Sequence, residues 1–428
     1  MPAIFTKTKN LKGELTIPGD KSISHRSIML GSLAKGTTYV TNFLNGADCN
    51  SSIKCFKKLG IEIEHPEPDK VIVHGKGLDG LTESNLDLDV GNSGTTIRLM
   101  SGILSAQNFN TTISGDDSIC RRPMGRIITP LSSMGANITS KLSNDCAPLH
   151  ITGSKLNGIH YESPIASAQV KSAILFAGMY ADGETSVNEP YLSRNHTEQM
   201  INYFGGKVIS KGTKCTIIPR PQLEGREIIV PGDLSSAAYF IVAGLIVPGS
   251  EILVKNVGIN STRDGLVEVI QKMGGKIELL NITGDSEPSA DILVKYSELK
   301  GITIEKDLIP RLIDEIPIIA VMACFAKGTT VIKDAQELKV KESNRIDVMV
   351  ENLRKMGADI EPTDDGMIIN GGKPLTGAIL GSRHDHRIAM SFAIAGLAAE
   401  GKTEIVGSEC VNISYPNFYE DLNSLRTE

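Results

Sequence analysis

Ile17-Pro18-Gly19-Asp20-Lys21-Ser22 returns in altered form as Val230-Pro231-Gly232-Asp233-Leu234-Ser235, and this pair of segments decides the fold. The two prolines lie 213 residues apart in a chain of 428, which is close to half its length. In both copies a Pro-Gly turn is followed by Asp and then Ser, which are residues that cap helices well. The spacing therefore predicts two pseudo-equivalent halves, with the chain crossing between them at these segments.

Two series of glycines divide each half further. In the first series a helical stretch ends in glycine and a β-rich segment follows, at Gly36, Gly183, Gly249, Gly328 and Gly401, and residues 108–113 show the same pattern without the glycine. In the second series an apolar residue and glycine end a helix before a strand, at Gly60, Gly135, Gly205, Gly274 and Gly357. Glycine just past a helix adopts the left-handed conformation without a steric cost. The two series predict six units, each with two helices and short strands.

The spacing of the second series places the sixth helix-ending glycine, and the strand after it, at about the end of the given sequence. A helix is predicted there over residues 416–425, but no residues remain for the strand. Residues 13–17 at the N-terminus are expected to supply that strand. This closure predicts a continuous domain over residues 21–232 and a discontinuous domain formed by 1–20 plus 233–428. The active site is expected in the cleft between the two domains.

Composition excludes several classes of protein. The net charge is −6 and there is no basic run, so nucleic acid is not an expected partner. The longest apolar runs, residues 240–247 and 316–326, fall short of the roughly 18 residues that span a bilayer, and the first residues do not resemble a secretory signal. Seven scattered cysteines without a CxxC pair argue against a disulfide framework and a zinc site. We therefore expect a cytoplasmic protein without a zinc site.

Polar clusters precede the first helix of every predicted unit, and cations precede most of the second helices. The polar clusters are Lys21-Ser22, Asn92-Ser93-Gly94, Ser167-Ala168-Gln169, residues 233–236, Asp314-Glu315 and His384-Asp385-His386-Arg387. Second helices are expected near Arg121-Arg122, Arg194, Arg263 and Lys341-Glu342, with Arg345 one turn in. Ser, Asn and Asp are explained as helix caps, but a cation at a helix N-terminus opposes the macrodipole unless an anion is bound. These helix starts therefore predict a site for a small polyanion.

Carboxylates stand among these cations, namely Asp314, Glu315, Glu342 and Asp385. A carboxyl group next to cations can serve in acid/base chemistry, although any single one of them is more commonly part of a surface ion pair. Their shared placement at helix starts favours a role in catalysis.

Three other motifs are interpreted as structural. Residues 75–80 fit GxGxxG, but the polar stretch after them does not predict the helix that a dinucleotide site requires, so they are assigned to a turn. His384-Asp385-His386 has no second ligand cluster, and its cationic surroundings do not suit a divalent metal. Cys120 lies beside Arg121 and Arg122, which could lower its pKa, but no general base accompanies it.

The chain resembles the 5-enolpyruvylshikimate-3-phosphate synthase family throughout its length. The segments that carry the resemblance are Gly19-Asp20-Lys21-Ser22-Ile23-Ser24-His25-Arg26, Gly91-Asn92-Ser93-Gly94-Thr95-Thr96-Ile97-Arg98, Gly115-Asp116-Asp117-Ser118 with Arg122-Pro123-Met124, Ser167-Ala168-Gln169-Val170-Lys171-Ser172, Leu338-Lys339-Val340-Lys341-Glu342-Ser343-Asn344-Arg345 and Asp385-His386-Arg387-Ile388-Ala389-Met390. The resemblance implies an α/β fold of the inside-out α/β barrel type, in which two domains of three βαβαββ units close like a clam.

The resemblance also implies a reaction and a set of site residues. The enolpyruvyl group of phosphoenolpyruvate passes to the 5-hydroxyl of shikimate 3-phosphate by addition and elimination, through a tetrahedral intermediate, and phosphate is released. Matched by position, the residues that would bind shikimate 3-phosphate are Lys21, Ser22, Arg26, Ser167, Ala168, Gln169, Arg194, Asp314 and Lys341. Those that would hold phosphoenolpyruvate are Lys21, Asn92, Gly94, Arg122, Gln169, Arg345 and Arg387. Asp314 would be the base for the hydroxyl, Glu342 the proton donor to the methylene, and Lys21 a helper near the phosphate. The implied reaction calls for no cofactor or metal.

The sequence departs from the family pattern at two places. Ile413 stands where some relatives carry a lysine that contacts phosphoenolpyruvate. Ala168 and Arg194-Asn195-His196 stand where others have a second serine and a substrate-binding tyrosine, so Arg194 is expected to take over part of the recognition of shikimate 3-phosphate.

The same residues bear on two alternative functions and on one expected inhibitor. The related UDP-N-acetylglucosamine enolpyruvyl transferases carry a cysteine five residues before an Arg-Pro pair, where this chain has Asp117. A non-catalytic polyanion-binding protein would have no use for both Asp314 and Glu342. Because Gly94 leaves room beside the phosphoenolpyruvate pocket, glyphosate is expected to compete with that substrate. The enzyme is expected to act as a monomer.

Overall fold

The chain forms two compact units. The computed structural model describes residues 2–284 and 287–427. One unit, here called the continuous unit, comprises Gly19–Val230, and the other, the discontinuous unit, comprises Met1–Pro18 with Pro231–Glu428. The boundaries predicted from the sequence lie two residues further along the chain at both crossovers.

The continuous unit is built from three four-stranded sheets and six α-helices. In spatial order the first sheet contains Glu227–Ile229, Lys35–Thr41, Lys70–Lys76 and Glu62–Glu67; the second Leu88–Asp89, Asn110–Ser114, Leu149–Thr152 and Asn137–Ser140; the third His160–Glu162, Thr185–Asn188, Lys214–Ile217 and Val208–Lys211. The helices are Lys21–Leu33, Ala47–Lys58, Gly94–Leu104, Gly125–Ser133, Ala168–Gly178 and His196–Tyr203, with a 3-10 turn at Ile119–Arg121.

The discontinuous unit repeats this plan, with three sheets among its described residues. Its first sheet contains Lys12–Thr16, Glu251–Gly258, Ser289–Lys295 and Lys276–Thr283; its second Thr303–Ile304, Gly328–Ile332, Met367–Gly371 and Asp359–Pro362; its third Ile379–Gly381, Lys402–Val406 and Ala3–Thr6. The helices are Leu234–Ile246, Gly265–Lys272, Leu308–Leu312, Ile316–Cys324, Arg345–Lys355, His386–Ala398 and Phe418–Ser424, with 3-10 turns at Gln336–Val340 and Ser408–Ile413.

The four-stranded sheets share one pattern of pairing. In each, a short edge strand runs parallel to its neighbour, and the remaining two strands pair antiparallel, as in the sheet of Leu88–Asp89 and that of Thr303–Ile304. The ten glycines of the two predicted series all have positive φ, from +71° at Gly249 to +101° at Gly205. For the second series the predicted left-handed helix end is confirmed, because each of its glycines directly follows the C-cap residue of its helix. In the first series the helix ends before the glycine, for example with the C-cap residues Ala34 and Val247, which are extended.

The prediction for residues 13–17 is wrong. Lys12–Thr16 pairs in parallel with Glu251–Gly258 and so belongs to the first sheet of the discontinuous unit. The third sheet receives Ala3–Thr6 instead, antiparallel to Lys402–Val406. The N-terminal segment also contacts the end of the chain, through an isolated β-bridge from Leu11 to Arg426 and a hydrogen bond from the Lys12 N–H to the Leu425 carbonyl at 2.9 Å. The spacing of the repeats indicated that the N-terminus completes this unit, but it could not say which of two short strands enters which sheet.

The first helix of every repeat lies inside its unit. All thirteen residues of Leu234–Ile246 are buried, and a helix that is buried on every side belongs to a core rather than to a surface. In the continuous unit, Gly94–Leu104 and Ala168–Gly178 pack so closely that a Cβ at Gly102 would lie 2.1 Å from the carbonyl oxygen of Ala173. Packing of this kind explains part of the high glycine content and brings the N-terminal ends of buried helices together.

The predicted helix starts are confirmed. The buried helices begin at Lys21, Gly94, Ala168, Leu234, Ile316 and His386. Five of them are capped by the side chain before the first residue, namely Asp20, Ser93, Ser167, Asp233 and Asp385. Residues 75–80 end a strand in a turn, and the next helix begins only at Gly94, as predicted. Within residues 2–284 and 287–427, no helix combines the length and apolar character needed to cross a membrane.

Candidate active site

Lys21 and Arg26 stand at the start of the first buried helix of the continuous unit. The Lys21 ammonium forms an ion pair with Asp48, which lies in the first turn of Ala47–Lys58 and is buried. Arg26 is also buried; it donates to the carbonyl of Ser22 at 2.9 Å and to the Thr197 hydroxyl at 2.6 Å. Two predicted phosphate-binding cations are therefore held by neighbouring groups in fixed positions.

Gln169 is oriented by a residue that sequence reasoning did not select. Arg98 donates to Gln169 Oε1 at 2.5 Å, and Gln169 Nε2 donates to the Thr95 hydroxyl at 3.1 Å. These contacts join the starts of Gly94–Leu104 and Ala168–Gly178 and fix which end of the amide faces Arg98. Arg98 is the last residue of the motif formed by residues 91–98. It is the one charged residue in the helix Gly94–Leu104, and this isolated charge could have marked it as a functional residue.

Arg122 is fixed beside Gly94 by two neighbouring side chains. It donates through Nη2 to Asn92 Oδ1 at 2.8 Å and to the Ser118 hydroxyl at 3.0 Å. Asn92 in turn donates to Asp116 at 2.8 Å. A Cβ at Gly94 would lie 3.1 Å from Nη1 of Arg122. The structure thus brings together three of the residues predicted for phosphoenolpyruvate: Asn92, Gly94 and Arg122.

A chain of neutral hydroxyls runs beneath these helix starts. His25 Nδ1 lies 2.8 Å from the Ser52 hydroxyl, which lies 2.8 Å from Thr96, which lies 2.7 Å from Ser93. Burial, together with the nearby Lys21, lowers the pKa of His25 from 6.5 to about 3. His25 is therefore neutral at neutral pH and adds no charge beneath the cations.

In the discontinuous unit, one guanidinium holds three carboxylates. Arg345, the first residue of its helix, has a side chain that is 1% exposed. Its Nε lies 2.8 Å from Asp385, its Nη1 3.3 Å from Asp314 and its Nη2 2.6 Å from Glu342. Burial alone would lower the pKa of Arg345, but Asp385 and Glu342 raise it well above its ordinary value. The two residues predicted for acid/base chemistry, Asp314 and Glu342, are therefore placed around one fixed cation.

The carboxylates of this cluster differ in their exposure. The side chain of Asp385 is fully buried, whereas that of Asp314 is 15% exposed and that of Glu342 is 26% exposed. Asp385 also caps the helix that begins at His386, by accepting from the backbone N–H of Arg387 at 3.0 Å. Asp385 is thus a structural anchor, while Asp314 and Glu342 keep part of their surface open to a ligand.

Two further cations approach Asp314. Lys341 Nζ and Arg387 Nη2 each lie 3.8 Å from its carboxylate oxygens. Burial by itself would lower the pKa of Arg387, but Asp314 and other acidic groups nearby raise it. Lys341 also contacts Glu337 at 3.2 Å. The structure therefore gathers five of the predicted site residues, Asp314, Lys341, Glu342, Arg345 and Arg387, into one cluster.

Protein carboxylates, and not only a bound anion, neutralise the cations at the helix starts. Arg263, at the start of Gly265–Lys272, pairs with Asp233 at 3.0 Å and lies 3.8 Å from Glu315. Arg345 is likewise neutralised by the carboxylates around it. Protein carboxylates supply much of the negative charge that the helix starts need, and their pairing brings together residues distant in sequence.

The other motifs discussed above have no place in these clusters. Cys120 Sγ lies near Gly115 O and the Ser114 hydroxyl, at 3.6 and 3.7 Å. Ile413 ends a 3-10 turn and packs against the core. Within the described part of the chain, the one group of side chains with metal-ligand spacing is Glu62, Glu64 and His74, on a solvent-facing strand pair. It does not include His384 or His386.

Several residues at these sites were missed by sequence reasoning. Those that contact a predicted site residue are Asp48, Arg98, Asp116 and Glu189. Those that contact Glu189 or one another are Lys171, Ser193 and Glu198. Most are carboxylates in loops or first turns, where acidic residues are common in any protein.

The family is identified by comparison with known proteins. The family model for EPSP synthase (3-phosphoshikimate 1-carboxyvinyltransferase) matches residues 5–422. A relative named 3-phosphoshikimate 1-carboxyvinyltransferase from Thermoanaerobacter sp. (strain X514) is 59% identical over 420 residues, covering 98% of this chain and 99% of the relative. One of the same name from Bacillus subtilis (strain 168) is 52% identical, with 98% of each covered.

Solved structures agree with this assignment. An EPSP synthase from Acinetobacter baumannii matches with a TM-score of 0.89 and 46% identity, covering 99% of this chain and 98% of that one. The enolpyruvyl transferase NikO from Streptomyces tendae shares the fold, with a TM-score of 0.80 at 17% identity, covering 99% and 97%. The α/β fold class predicted from the sequence is confirmed. The chain belongs to the EPSP synthase (3-phosphoshikimate 1-carboxyvinyltransferase) family.

Proposed function

We propose that this chain transfers the enolpyruvyl group of phosphoenolpyruvate to the 5-hydroxyl of shikimate 3-phosphate and releases phosphate, as a step in the biosynthesis of chorismate and the aromatic amino acids. Membership of the family supports the reaction. The observation that carries the residue assignment is the Arg345 cluster, in which Asp314 and Glu342 are held by one buried guanidinium yet remain partly exposed. An acid/base pair needs this combination of fixed position and access.

Each proton has an assigned carrier in the proposed reaction. In the addition step, Asp314 takes the proton of the 5-hydroxyl as the oxygen bonds to C2 of phosphoenolpyruvate, and Glu342 gives a proton to the methylene carbon. In the elimination step, the Glu342 carboxylate takes a proton back from the new methyl group, the double bond reforms, and the bond from C2 to the phosphate oxygen breaks. The phosphate departs with the proton that Asp314 took from the 5-hydroxyl, so both carboxyl groups return to their starting states. Lys21 assists by stabilising the charge of the departing phosphate.

Binding of the two anions is assigned to the cations and helix starts. Lys21, Ser22, Arg26, Ser167, Ala168, Gln169 and Arg194 would hold shikimate 3-phosphate, with Asp314 and Lys341 from the discontinuous unit. Asn92, Gly94 and Arg122, together with Lys21, Gln169, Arg345 and Arg387, would hold phosphoenolpyruvate. Guanidinium groups and helix N-termini suit phosphate and carboxylate groups. Because one transfer uses residues of both units, the proposal requires that both act on the substrates together.

The alternative of a UDP-N-acetylglucosamine enolpyruvyl transferase is not favoured. The relatives that match along nearly their whole length are named 3-phosphoshikimate 1-carboxyvinyltransferase. Asp117 stands where the UDP-N-acetylglucosamine enolpyruvyl transferases have their cysteine.

Phosphate release tests the proposal directly. Purified protein with shikimate 3-phosphate and phosphoenolpyruvate is expected to release one phosphate per enolpyruvyl ether formed, whereas UDP-N-acetylglucosamine as acceptor gives none. Release only with UDP-N-acetylglucosamine would establish the alternative. Binding of shikimate 3-phosphate without any turnover would indicate a polyanion-binding protein. The expected monomer, a further prediction, is tested by light scattering, and the expected cytoplasmic location by cell fractionation.

A further inference from the structure

We propose that Lys171 is a positioning residue for the binding of shikimate 3-phosphate. It sets the places of Ser167 and Arg194 through two buried carboxylates, without touching the substrate itself. The inference rests on the proposed function, because it concerns residues assigned there to shikimate 3-phosphate.

Lys171 forms a closed ion cluster inside the continuous unit. Its side chain is 2% exposed, and its Nζ lies 2.9 Å from Glu189 Oε2 and 2.9 Å from Glu198 Oε1. Both carboxylates are equally buried. Burial alone would lower the pKa of Lys171, but Glu198 and Glu189 raise it to about 12, so it stays charged at neutral pH. The cluster holds one cation and two carboxylates.

Glu189 carries the effect of Lys171 to Ser167. Its Oε1 accepts a hydrogen bond from the backbone N–H of Ser167 at 2.9 Å. Ser167 caps Ala168–Gly178, the helix that also presents Ala168 and Gln169. The start of this helix is therefore held by the Glu189 carboxylate, which lies outside the helix. Lys171 in turn neutralises the charge of Glu189.

The same cluster fixes the residue next to Arg194. Glu189 Oε2 accepts from the Ser193 hydroxyl at 2.9 Å and from its backbone N–H at 3.3 Å. Lys171 Nζ also donates to the carbonyl of Ser193 at 3.3 Å. The loop between Thr185–Asn188 and His196–Tyr203 is thus held at the position just before Arg194, the residue expected to replace a substrate-binding tyrosine.

A neighbouring layer of hydrogen bonds extends the cluster to Arg26. Ser172, next to Lys171, and Thr197, next to Glu198, lie 2.6 Å apart through their hydroxyls. Arg26 donates to Ser172 at 2.8 Å and to Thr197 at 2.6 Å. Three residues assigned to shikimate 3-phosphate therefore depend on the helix and loop that Lys171 joins, whereas Asn92, Gly94 and Arg122 have other partners.

Removal of the cation alone would leave two buried carboxylates without compensation, which destabilises a fold strongly. The single variant Lys171→Met is therefore expected to fold poorly. The triple variant Lys171→Met/Glu189→Gln/Glu198→Gln removes all three charges, keeps similar side-chain sizes and leaves no buried ion. It separates positioning from stability.

The test compares KM for each substrate in a steady-state assay of phosphate release. For the triple variant, KM for shikimate 3-phosphate is expected to rise about tenfold or more, KM for phosphoenolpyruvate less than threefold, and kcat to change least. Lys171→Arg keeps the charge and should bring KM for shikimate 3-phosphate back to within threefold of the unsubstituted enzyme. The control is Lys214→Met, at an exposed lysine of the strand Lys214–Ile217, which should leave all constants unchanged.

Two outcomes would overturn the inference. One is a folded triple variant with an unchanged KM for shikimate 3-phosphate, which would give the cluster a role in stability only. The other is an equal rise of KM for both substrates, which would mean general damage. If instead the unsubstituted enzyme released no phosphate from these substrates, the proposed function would fail first. Calorimetric titration of shikimate 3-phosphate into both proteins would then still report on positioning.

Discussion

Both units bury ion pairs at their helix starts, but partly exposed carboxylates around a buried cation are found in the Arg345 cluster of the discontinuous unit. In the continuous unit, Glu189, Glu198 and Asp48 are buried behind cations. In the discontinuous unit the cation Arg345 is buried, and two of its carboxylate partners, Asp314 and Glu342, are partly exposed.

The difference separates two kinds of ion pair. A fully buried pair fixes backbone segments and can only be disturbed at a large energetic cost. A pair whose carboxylate is partly open can exchange a proton with a ligand while its partner holds it in place. We infer that the continuous unit serves only to bind anions, whereas the discontinuous unit both binds anions and moves protons.

The largest expected effect is a loss of turnover when the proton-transferring carboxylates of the discontinuous unit are substituted. Asp314→Asn or Glu342→Gln should lower kcat by about 10²–10⁴-fold, because each removes a group assigned to proton transfer. Binding of shikimate 3-phosphate, measured by calorimetry, should persist. Glu337→Gln is a matched control, since Glu337 also contacts Lys341 but has no role in the proposed reaction. Unchanged turnover in both site variants would contradict the contrast between the units.

The second largest expected effect is on the free energy of unfolding in acid. It concerns His25, which belongs to the neutral hydrogen-bonded chain beneath the helix starts of the continuous unit. His25 has a pKa of about 3 in the folded state against 6.5 as its ordinary value. The unfolded chain therefore binds the proton first, so the stabilisation is complete above pH 6.5 and is lost as the pH falls toward 3. At pH 4.5 this amounts to about 2–3 kcal/mol.

His25→Gln should remove that part of the pH dependence, because glutamine can still bond to Ser52 but does not titrate. Urea unfolding at pH 7 and pH 4.5 measures it: the free energy of unfolding should fall by about 2–3 kcal/mol less in the variant. His160→Gln is the control, since its side chain is 51% exposed. Equal losses in all three proteins would show that His25 is not kept neutral by burial.

The sequence predicted the helix starts better than the contacts between them. N-caps such as Ser93 and Asp385, together with a regular glycine spacing, determine where helices begin because both act locally. The ion partners could not be predicted, since Glu189 follows a strand and Asp48 lies in an ordinary first turn. Lys171 did carry a signal, as the one charged residue in the apolar helix Ala168–Gly178, but its partners required the fold.

A smaller effect is expected at Gly94. A substitution there tests whether the space beside the phosphoenolpyruvate pocket, and not its charge, determines inhibition by glyphosate. An alanine Cβ would lie 3.1 Å from the Nη1 atoms of Arg122 and Arg98, which would have to shift by only a few tenths of an ångström, so the fold should tolerate it. Glyphosate should compete with phosphoenolpyruvate, and Gly94→Ala should raise its inhibition constant by about tenfold, with a smaller rise of KM for phosphoenolpyruvate. Gly381→Ala, where a Cβ meets open space, should change neither. Unweakened inhibition in Gly94→Ala would disprove the steric argument.

The smallest effect is expected at Cys120, and it tests the contrast between the units most directly. Cys120→Ser keeps a hydroxyl near Gly115 O and the Ser114 hydroxyl, the contacts that the thiol makes. Because no step of the proposed reaction uses this thiol, kcat and both KM values should stay within about twofold of those of the unsubstituted enzyme in the phosphate-release assay. A severe loss of kcat would favour the UDP-N-acetylglucosamine enzyme. It would also place a reacting group in the continuous unit, and the division into an anion-binding and a proton-transferring unit would then be wrong.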